Sequence, residues 1–396
     1  MDLEFIKSQA GEYFDSMVSA RRHLHKNPEL SEMEWGAQEY IQRLLSIEGI
    51  NNVGIADTGV LAVIEGNPEG KTVGLRADMD ALPIDEANDL EYSSDIYGVM
   101  HACGHDAHTA IQLGVAKFFN DNKDKLPGTV KFFFQPAEET VGGAKRMIEQ
   151  GCMDNPSVDY VLGLHVMPDL RYNQVEIKYG TINASTNSIR ITVKGKSGHA
   201  AFPDRCVDPI VISAQLITAL QTIVSRNVSP LDSAVLTFGT INGGVKSNII
   251  AGEVVLEGTV RASNNEVRNI LFEKIESITS GVVSSMGGAF DIDYFCDGYP
   301  PVINDTFTLD IVKDAACEYL GEERVVYKKA MSMGGEDFSF YSEKAKTAFY
   351  HVGCKVEGKE PYLLHTAEFE LDERCLITGF VVQVLSALKL MGSNNI

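Results

Sequence analysis

Residues 101–108, HACGHDAH, place three histidines and a cysteine within eight positions at the front of an amphipathic run. Imidazole nitrogen and thiolate sulfur are ligands for transition metals, although any one of His101, Cys103, His105 and His108 taken alone reads equally well as a packing or capping residue. Cys103 and His105 stand two apart, a spacing that points them to different faces of a continuous helix. Convergence therefore needs a loop or a helix start, which Gly104 between them permits. One Cys-x-His pair cannot complete a metal site, so the remaining ligands must come from elsewhere in the chain.

Other donors stand where apolar runs end. KFFFQPAEE delivers Glu138 and Glu139 after a proline, a position where paired acids also complement a helix dipole. DYVLGLHV carries His165, RADMDALP carries Asp78 and Asp80, which also suit a turn, and YLLHTAEFELDE carries His365. Apart from these, KGKSGHAAFP sets His199 in a glycine-flanked turn of the later segment, where it reads equally well as a solvated loop histidine. Functional groups of open α/β sheets gather at the carboxyl ends of strands, which makes this scatter of donors intelligible as one site.

The elements that would position them alternate. A helix is expected over about 2–24 and a second amphipathic helix after Pro28, followed by strands in GVLAVIEG and KTVGLRADMDALPI. A helix over 105–120, the strand TVKFFFQ, a helix over 141–150 and the strand DYVLGLHV continue a βαβ rhythm. Near-continuous apolar strands fit a mostly parallel sheet flanked by helices on both faces. After Gly180 the order becomes βαββαβ, through SIRITVKG, a helix from Asp208, AVLTFGTING, EVVLEGTVRA, a helix from Glu266 and AFDIDYFC, the pattern of a ferredoxin-like sandwich. The α/β texture returns near 300 with a helix over 307–320, the run AFYHVG and a closing helix over 372–391. We therefore expect a catalytic α/β domain in two parts, 1–183 and 296–396, interrupted by an inserted domain over 184–295.

Composition narrows the function classes. With 396 residues, 44% hydrophobic and 22% charged, the chain has material for two or three folded domains. No apolar run approaches the roughly twenty residues that span a bilayer, so no membrane partner is expected. A net charge of −21 without a basic stripe argues against nucleic acid. The N-terminus is acidic and amphipathic, unlike a secretory signal. Seven scattered cysteines show no disulfide framework, and a cytoplasmic location is expected.

Taken in order, RADMDALPI, MHACGHDAHT, FFFQPAEETVGGA, GLHV, KGKSGHAAFP, TFGTINGGVKSNII, MGGEDFSFY and LHTAEFELDE resemble the dinuclear-metal amidohydrolases that include auxin-conjugate amidohydrolases, hippurate hydrolases and N-acyl-amino-acid carboxypeptidases. The resemblance implies a zinc-exopeptidase-like catalytic domain with an inserted lid and dimerisation domain. It implies two divalent ions, zinc, manganese, cobalt or nickel, on Cys103, His105, Glu139, His165 and His365, with Cys103 bridging. Glu138 matches the general base, and Asp80 the aspartate that orients a ligand. His199 matches a histidine that stabilises the tetrahedral oxyanion, often in the partner subunit of a homodimer. Asn248 and Arg261 match residues that hold the substrate carboxylate, although Ala251 stands where many relatives carry proline. The implied reaction is hydrolysis of a small N-acyl or N-aroyl amino acid. An N-acetyldiaminopimelate-type deacetylase or a dipeptidase is the alternative, and a structural metal-site protein the non-enzymatic one.

Overall fold

In the computed structural model, which describes residues 1–393 and, of Cys296 and Asp297, the backbone alone, the chain divides into two compact units. The first comprises Met1–Ile182, Ile303–Ala330 and the segment from Asp337 onward; the second comprises Asn183–Val302 and Met331–Glu336. The cysteine at 296 lies outside the described side chains.

The first unit opens with α1 (Leu3–Lys26) and α2 (Trp35–Ile47), then β1 (Asn52–Ile55), β2 (Gly59–Ile64), β3 (Thr72–Asp78), α3 (His105–Asp121), β4 (Thr129–Gln135), α4 (Gly143–Glu149), β5 (Tyr160–Arg171) and β6 (Val175–Ile177). The chain crosses out along β7 (Gly180–Asn183). The second unit holds β8 (Ser185–Lys194), β9 (Gly198–His199), α5 (Pro209–Arg226), β10 (Ala234–Gly243), β11 (Ile249–Ile250), β12 (Glu253–Ala262), α6 (Asn265–Ser285) and β13 (Ala289–Tyr299). The return runs along β14 (Val302–Asn304), which pairs with β7, into α7 (Thr306–Leu320), β15 (Val325–Tyr327), β16 (Lys346–Lys355) and α8 (Cys375–Met391).

Eight strands form the sheet of the first unit in the order β1-β2-β4-β3-β5-β16-β6-β15. The central strands β4, β3, β5 and β16 run parallel, with antiparallel pairings at β1/β2, β2/β4 and β16/β6. Every residue of β3 and β4 is buried, as expected for strands covered on both faces. On one face α1, α3 and α8 pack together with an almost wholly apolar α8; on the other lies a short 3-10 segment, Asp337–Glu343. Gly163 of β5 admits that segment, since a Cβ there would stand 2.7 Å from the Phe338 ring. The one lysine inside the apolar β4, Lys131, is buried and donates to the carbonyls of Cys152 and Asp154 at 3.2 and 2.5 Å, closing the turn after α4.

The second unit is a four-stranded antiparallel sheet, β10-β12-β8-β13, with α5 and α6 packed on it, the ferredoxin-like order read from the sequence. Its apolar core, including Ile189, Ile191, Leu216, Leu220, Leu256 and Leu271, is separate from that of the first unit. The closing helix begins at Cys375, three residues later than the periodicity suggests, because Asp372 is held outside it by the Cys354 carbonyl.

Buried charge ties the sheet's carboxyl edge together. Arg76, inaccessible to solvent, bonds Asp78 Oδ2 at 2.6 Å, Asp337 Oδ1 at 2.8 Å and Gln135 Oε1 at 2.9 Å. Removing one partner of such a network leaves the others charged and unpaired in a dry environment. Arg76→Met is therefore expected to lower the unfolding free energy of the first unit by about 3–5 kcal/mol, measured by urea titration; a loss under ~1 kcal/mol would show that the network contributes little.

Candidate active site

The start of α3 is built around Gly104, whose φ of +84° is left-handed. A side chain there would also collide with Val166, a Cβ standing 2.3 Å from its Cγ2. This single residue lets Cys103 and His105 turn toward the same space. Cys103 Sγ lies 3.3 Å from His165 Nε2, and the other His165 nitrogen donates to the Val166 carbonyl at 2.8 Å. His105 Nδ1 is held by the Asp80 carbonyl at 2.9 Å and by Asp80 Oδ1 at 3.2 Å, leaving Nε2 for the site. Asp80 also accepts from Ser31 Oγ at 2.7 Å and from the Glu139 backbone N–H at 3.0 Å, so one carboxylate fixes donors from α3 and from the segment after β4. His365, itself at a φ of +62°, is anchored by its N–H to the Ala102 carbonyl and brings Nε2 to 3.1 Å from Glu139 Oε1.

Three sets of donor atoms lie within 4.8 Å of one another: Cys103, His105 and His165; Cys103, Glu139 and His365; His105, Glu138 and Glu139. Cys103 is common to two of them. Glu139 Oε1 is buried and accepts no hydrogen bond, although His365 Nε2 is close. Sulfur, nitrogen and oxygen atoms converging in this way fit a transition-metal site, which would satisfy that orphaned oxygen.

The electrostatics agree. Burial pushes the Cys103 thiol well above its ordinary range and His165 well below. Burial would also lower His105, but the charges of Asp78 and Cys103 outweigh it and raise the imidazole. A bound cation favours the thiolate of Cys103 and the neutral imidazoles of His105 and His165.

A fourth set, Asp78, His105 and His108, is equally compact, but Asp78 and His108 are already consumed by hydrogen bonds. His108 Nδ1 donates to Asp78 Oδ1 at 2.6 Å, and its Nε2 accepts the Val166 N–H at 2.9 Å. The Val166 peptide thus joins His108 to His165, and the two rings sit edge to face at 4.7 Å. His108 and Asp78 hold a donor in place. Below them Asp106 accepts from Arg21 Nε at 2.7 Å and His25 Nδ1 at 2.8 Å, pinning α3 to α1. Nothing in the spacing of Arg21, Ser31 or Arg76 marks them for these tasks; the strand-end pair Asp78 and Asp80 was the only visible signal.

The other sequence candidates belong to the second unit. His199 is exposed on β9, opposite Ile249 of β11, and its Nδ1 accepts the Ala201 N–H at 3.1 Å, which leaves Nε2–H as a free donor. Exposed Asn248 is its neighbour, joined by the Ala200 N–H bond to the Asn248 carbonyl. Arg261, half-buried on β12, commits Nη1 to the Met333 carbonyl at 3.2 Å.

The chain is similar in sequence and fold to known proteins. The pattern of Peptidase family M20/M25/M40 matches residues 74–387. The N-acetyl-L-cysteine deacetylase of Bacillus subtilis is 41% identical over 379 residues, covering 96% of this chain and 89% of its own. The IAA-amino acid hydrolase ILR1-like 4 of Arabidopsis thaliana is 36% identical, covering 94% and 85%. The crystal structure of the Bacillus subtilis YXEP protein, described as a dinuclear metal binding peptidase, superposes with a TM-score of 0.83 at 33% identity over 96% of this chain and 99% of that one.

If Asp80 holds His105 and Glu139 for an ion, Asp80→Ala should weaken divalent-metal affinity by roughly 10–100-fold in competition with a chelating indicator. Wild-type affinity in that variant would remove Asp80 from the support of the site.

Proposed function

This chain belongs to the peptidase family M20/M25/M40 and is a hydrolase, and from that premise we propose that it cleaves the amide bond of N-acyl and N-aroyl amino acids, releasing a carboxylic acid and a free amino acid. The observation that carries the reading is Cys103, shared by two donor triads, with the carboxylate of Glu138 beside the ligand set. Cys103, His105, Glu139, His165 and His365 would hold two divalent ions, Cys103 between them. The donor types accommodate zinc, manganese, cobalt or nickel. Two such ions supply Lewis-acid polarisation of the scissile carbonyl and lower the pKa of the attacking water.

The chain's own groups do the rest. Glu138, buried at 8% exposure, takes the proton of the attacking water on its carboxylate and returns it to the leaving nitrogen. Glu139 and Glu138 are neighbours with separate tasks, one binding and one moving a proton. Asp80 keeps His105 in the tautomer whose Nε2 lone pair faces the site. His199 donates Nε2–H to the oxygen that becomes negative in the tetrahedral intermediate. Asn248 and the remaining guanidinium N–H groups of Arg261 receive the carboxylate of the amino acid.

Two further features complete the reading. The exposed edge strand β10 with Ile241 uncovered, Val245 just after it, and the exposed Ile210 and Val211 of α5 support an isologous homodimer through the second unit. Free thiols at Cys103, Cys152, Cys206, Cys317, Cys354 and Cys375 suit a reducing cytoplasm; no helix of the described residues is long and apolar enough to cross a membrane.

The direct test is hydrolysis of acetyl, benzoyl, indoleacetyl, diaminopimelate-type and peptidyl amino acids with each added metal. Chelation should abolish the activity, and full activity in metal-stripped protein would overturn the reading. Glu138→Gln should lower kcat by roughly 10²–10⁴ with metal content unchanged, whereas Glu139→Gln should lose metal as well. Identical behaviour of the two variants in both measurements would refute the division of roles.

A homodimer in which His199 serves the neighbouring site makes a separate expectation. Mixing inactive Glu138→Gln protein with inactive His199→Ala protein should restore part of the activity, because one site of the mixed dimer has both groups. No recovery despite demonstrated subunit exchange would place His199 in its own chain's reaction or in none, and a monomer in sedimentation would remove the dimer.

A further inference from the structure

One buried histidine beside the donor set has no task in this chemistry. His351 of β16 is the register partner of His165 on β5 and of Glu176 on β6, so the three stand in one row across three strands. The His351 and His165 rings lie 6.5 Å apart between centroids. His351 is only 5% exposed.

Its orientation is fixed from one side. Nδ1 lies 2.8 Å from Glu176 Oε2, which also accepts from Lys328 Nζ at 2.9 Å. Burial would raise the Glu176 carboxyl, but these bonds from His351 and Lys328 outweigh it and keep it below the usual range. An ionised carboxylate only accepts, so Nδ1 carries the proton and, in the neutral ring, Nε2 keeps its lone pair. Nε2 has no hydrogen-bond partner among the described residues. Nε2 is not among the fully buried unpaired atoms, so it can be reached from outside the fold and offers its lone pair to a donor.

We propose that His351 is a specificity-determining residue, whose Nε2 accepts a hydrogen bond from a hydroxyl or N–H group carried on the acyl part of the substrate. The assignment rests on the proposed N-acyl amino acid hydrolysis. That reading leaves the acyl group beside the donor set of the first unit, where His351 stands one strand from His165. The preferred class is then N-acyl amino acids whose acyl chain bears a donor close to the carbonyl, such as glycoloyl or aminoacyl groups, over plain acetyl or propionyl. A site built to hydrogen-bond a donor discriminates strongly against an analogue lacking it.

The experiment compares kcat/KM for N-glycoloyl and N-acetyl derivatives of one amino acid in metal-loaded enzyme, with metal content measured for each protein. Wild type should favour the glycoloyl substrate by roughly 10–100-fold. His351→Phe, which keeps a ring, should bring the ratio near one while acetyl hydrolysis and bound metal persist, and His351→Gln, which keeps an acceptor, should recover part of the preference. An equal ratio in wild type and His351→Phe overturns the proposal, with the hydrolase reading intact. Loss of metal in both variants overturns it in favour of a ligand role for His351. A wild type inactive on every N-acyl amino acid overturns the hydrolase reading and this inference together.

Discussion

The left-handed turn at Gly104 is the constraint on which the site depends. A continuous helix would send Cys103 and His105 to different faces, and only a residue that tolerates a φ of +84° with Val166 pressed against it can end the loop and begin α3 at that point. Val166 is also the peptide that joins His108 to His165. The close approach that requires glycine therefore sets the distance between the helix bearing two donors and the strand bearing a third. A Cβ at 104 would move both sides of the site at once.

The second constraint is charge. Asp78, Asp80, Asp106 and Glu138 are all buried near the carboxyl edge of one sheet, where unpaired carboxylates are expensive. Arg76 answers Asp78 and Asp337, and Arg21 answers Asp106 from α1. Those pairs take the aspartates that hold the scaffold and leave Glu138, Glu139 and the Cys103 thiol to the donor set, where His105 and His365 stand beside Glu139. The scaffold neutralises itself, and the donor set remains electrostatically open to positive ions.

Much of this was legible in the sequence, for physical reasons. The long elements announce themselves by period: α3, α8 and the all-buried β4 have lengths and apolar patterns that allow few alternatives, as do the strands and helices of the second unit. The donors were visible because Cys, His and paired Glu at strand ends have few structural tasks that explain them together. Three-residue strands such as β6 and β15 were invisible, being too short to carry a period, and their pairing is imposed by neighbours distant in the chain. So is the placement of Met331–Glu336 with the second unit. His108 illustrates the limit best. It sits in the same dense motif as Cys103 and His105, and only coordinates reveal that both its nitrogens are spent on Asp78 and Val166.

Spent and unspent polar atoms stand side by side at this edge, where Asp106 Oδ1 and His101 Nδ1 are unpaired as well as Glu139 Oε1. A fold selected for stability alone would satisfy every buried polar atom there, as it does for Asp80, whose two oxygens meet His105, Ser31 and the Glu139 N–H. Glu139 Oε1 and His351 Nε2 are held just as firmly by their surroundings and yet stand without hydrogen-bond partners among the described residues. The buried Glu139 Oε1 lowers stability by about 1–3 kcal/mol while unpaired, a loss that a folded chain tolerates where a bound species supplies the missing contact. Glu139 lies in a donor triad and His351 one strand away from a donor, so both atoms stand where an ion and a substrate would meet.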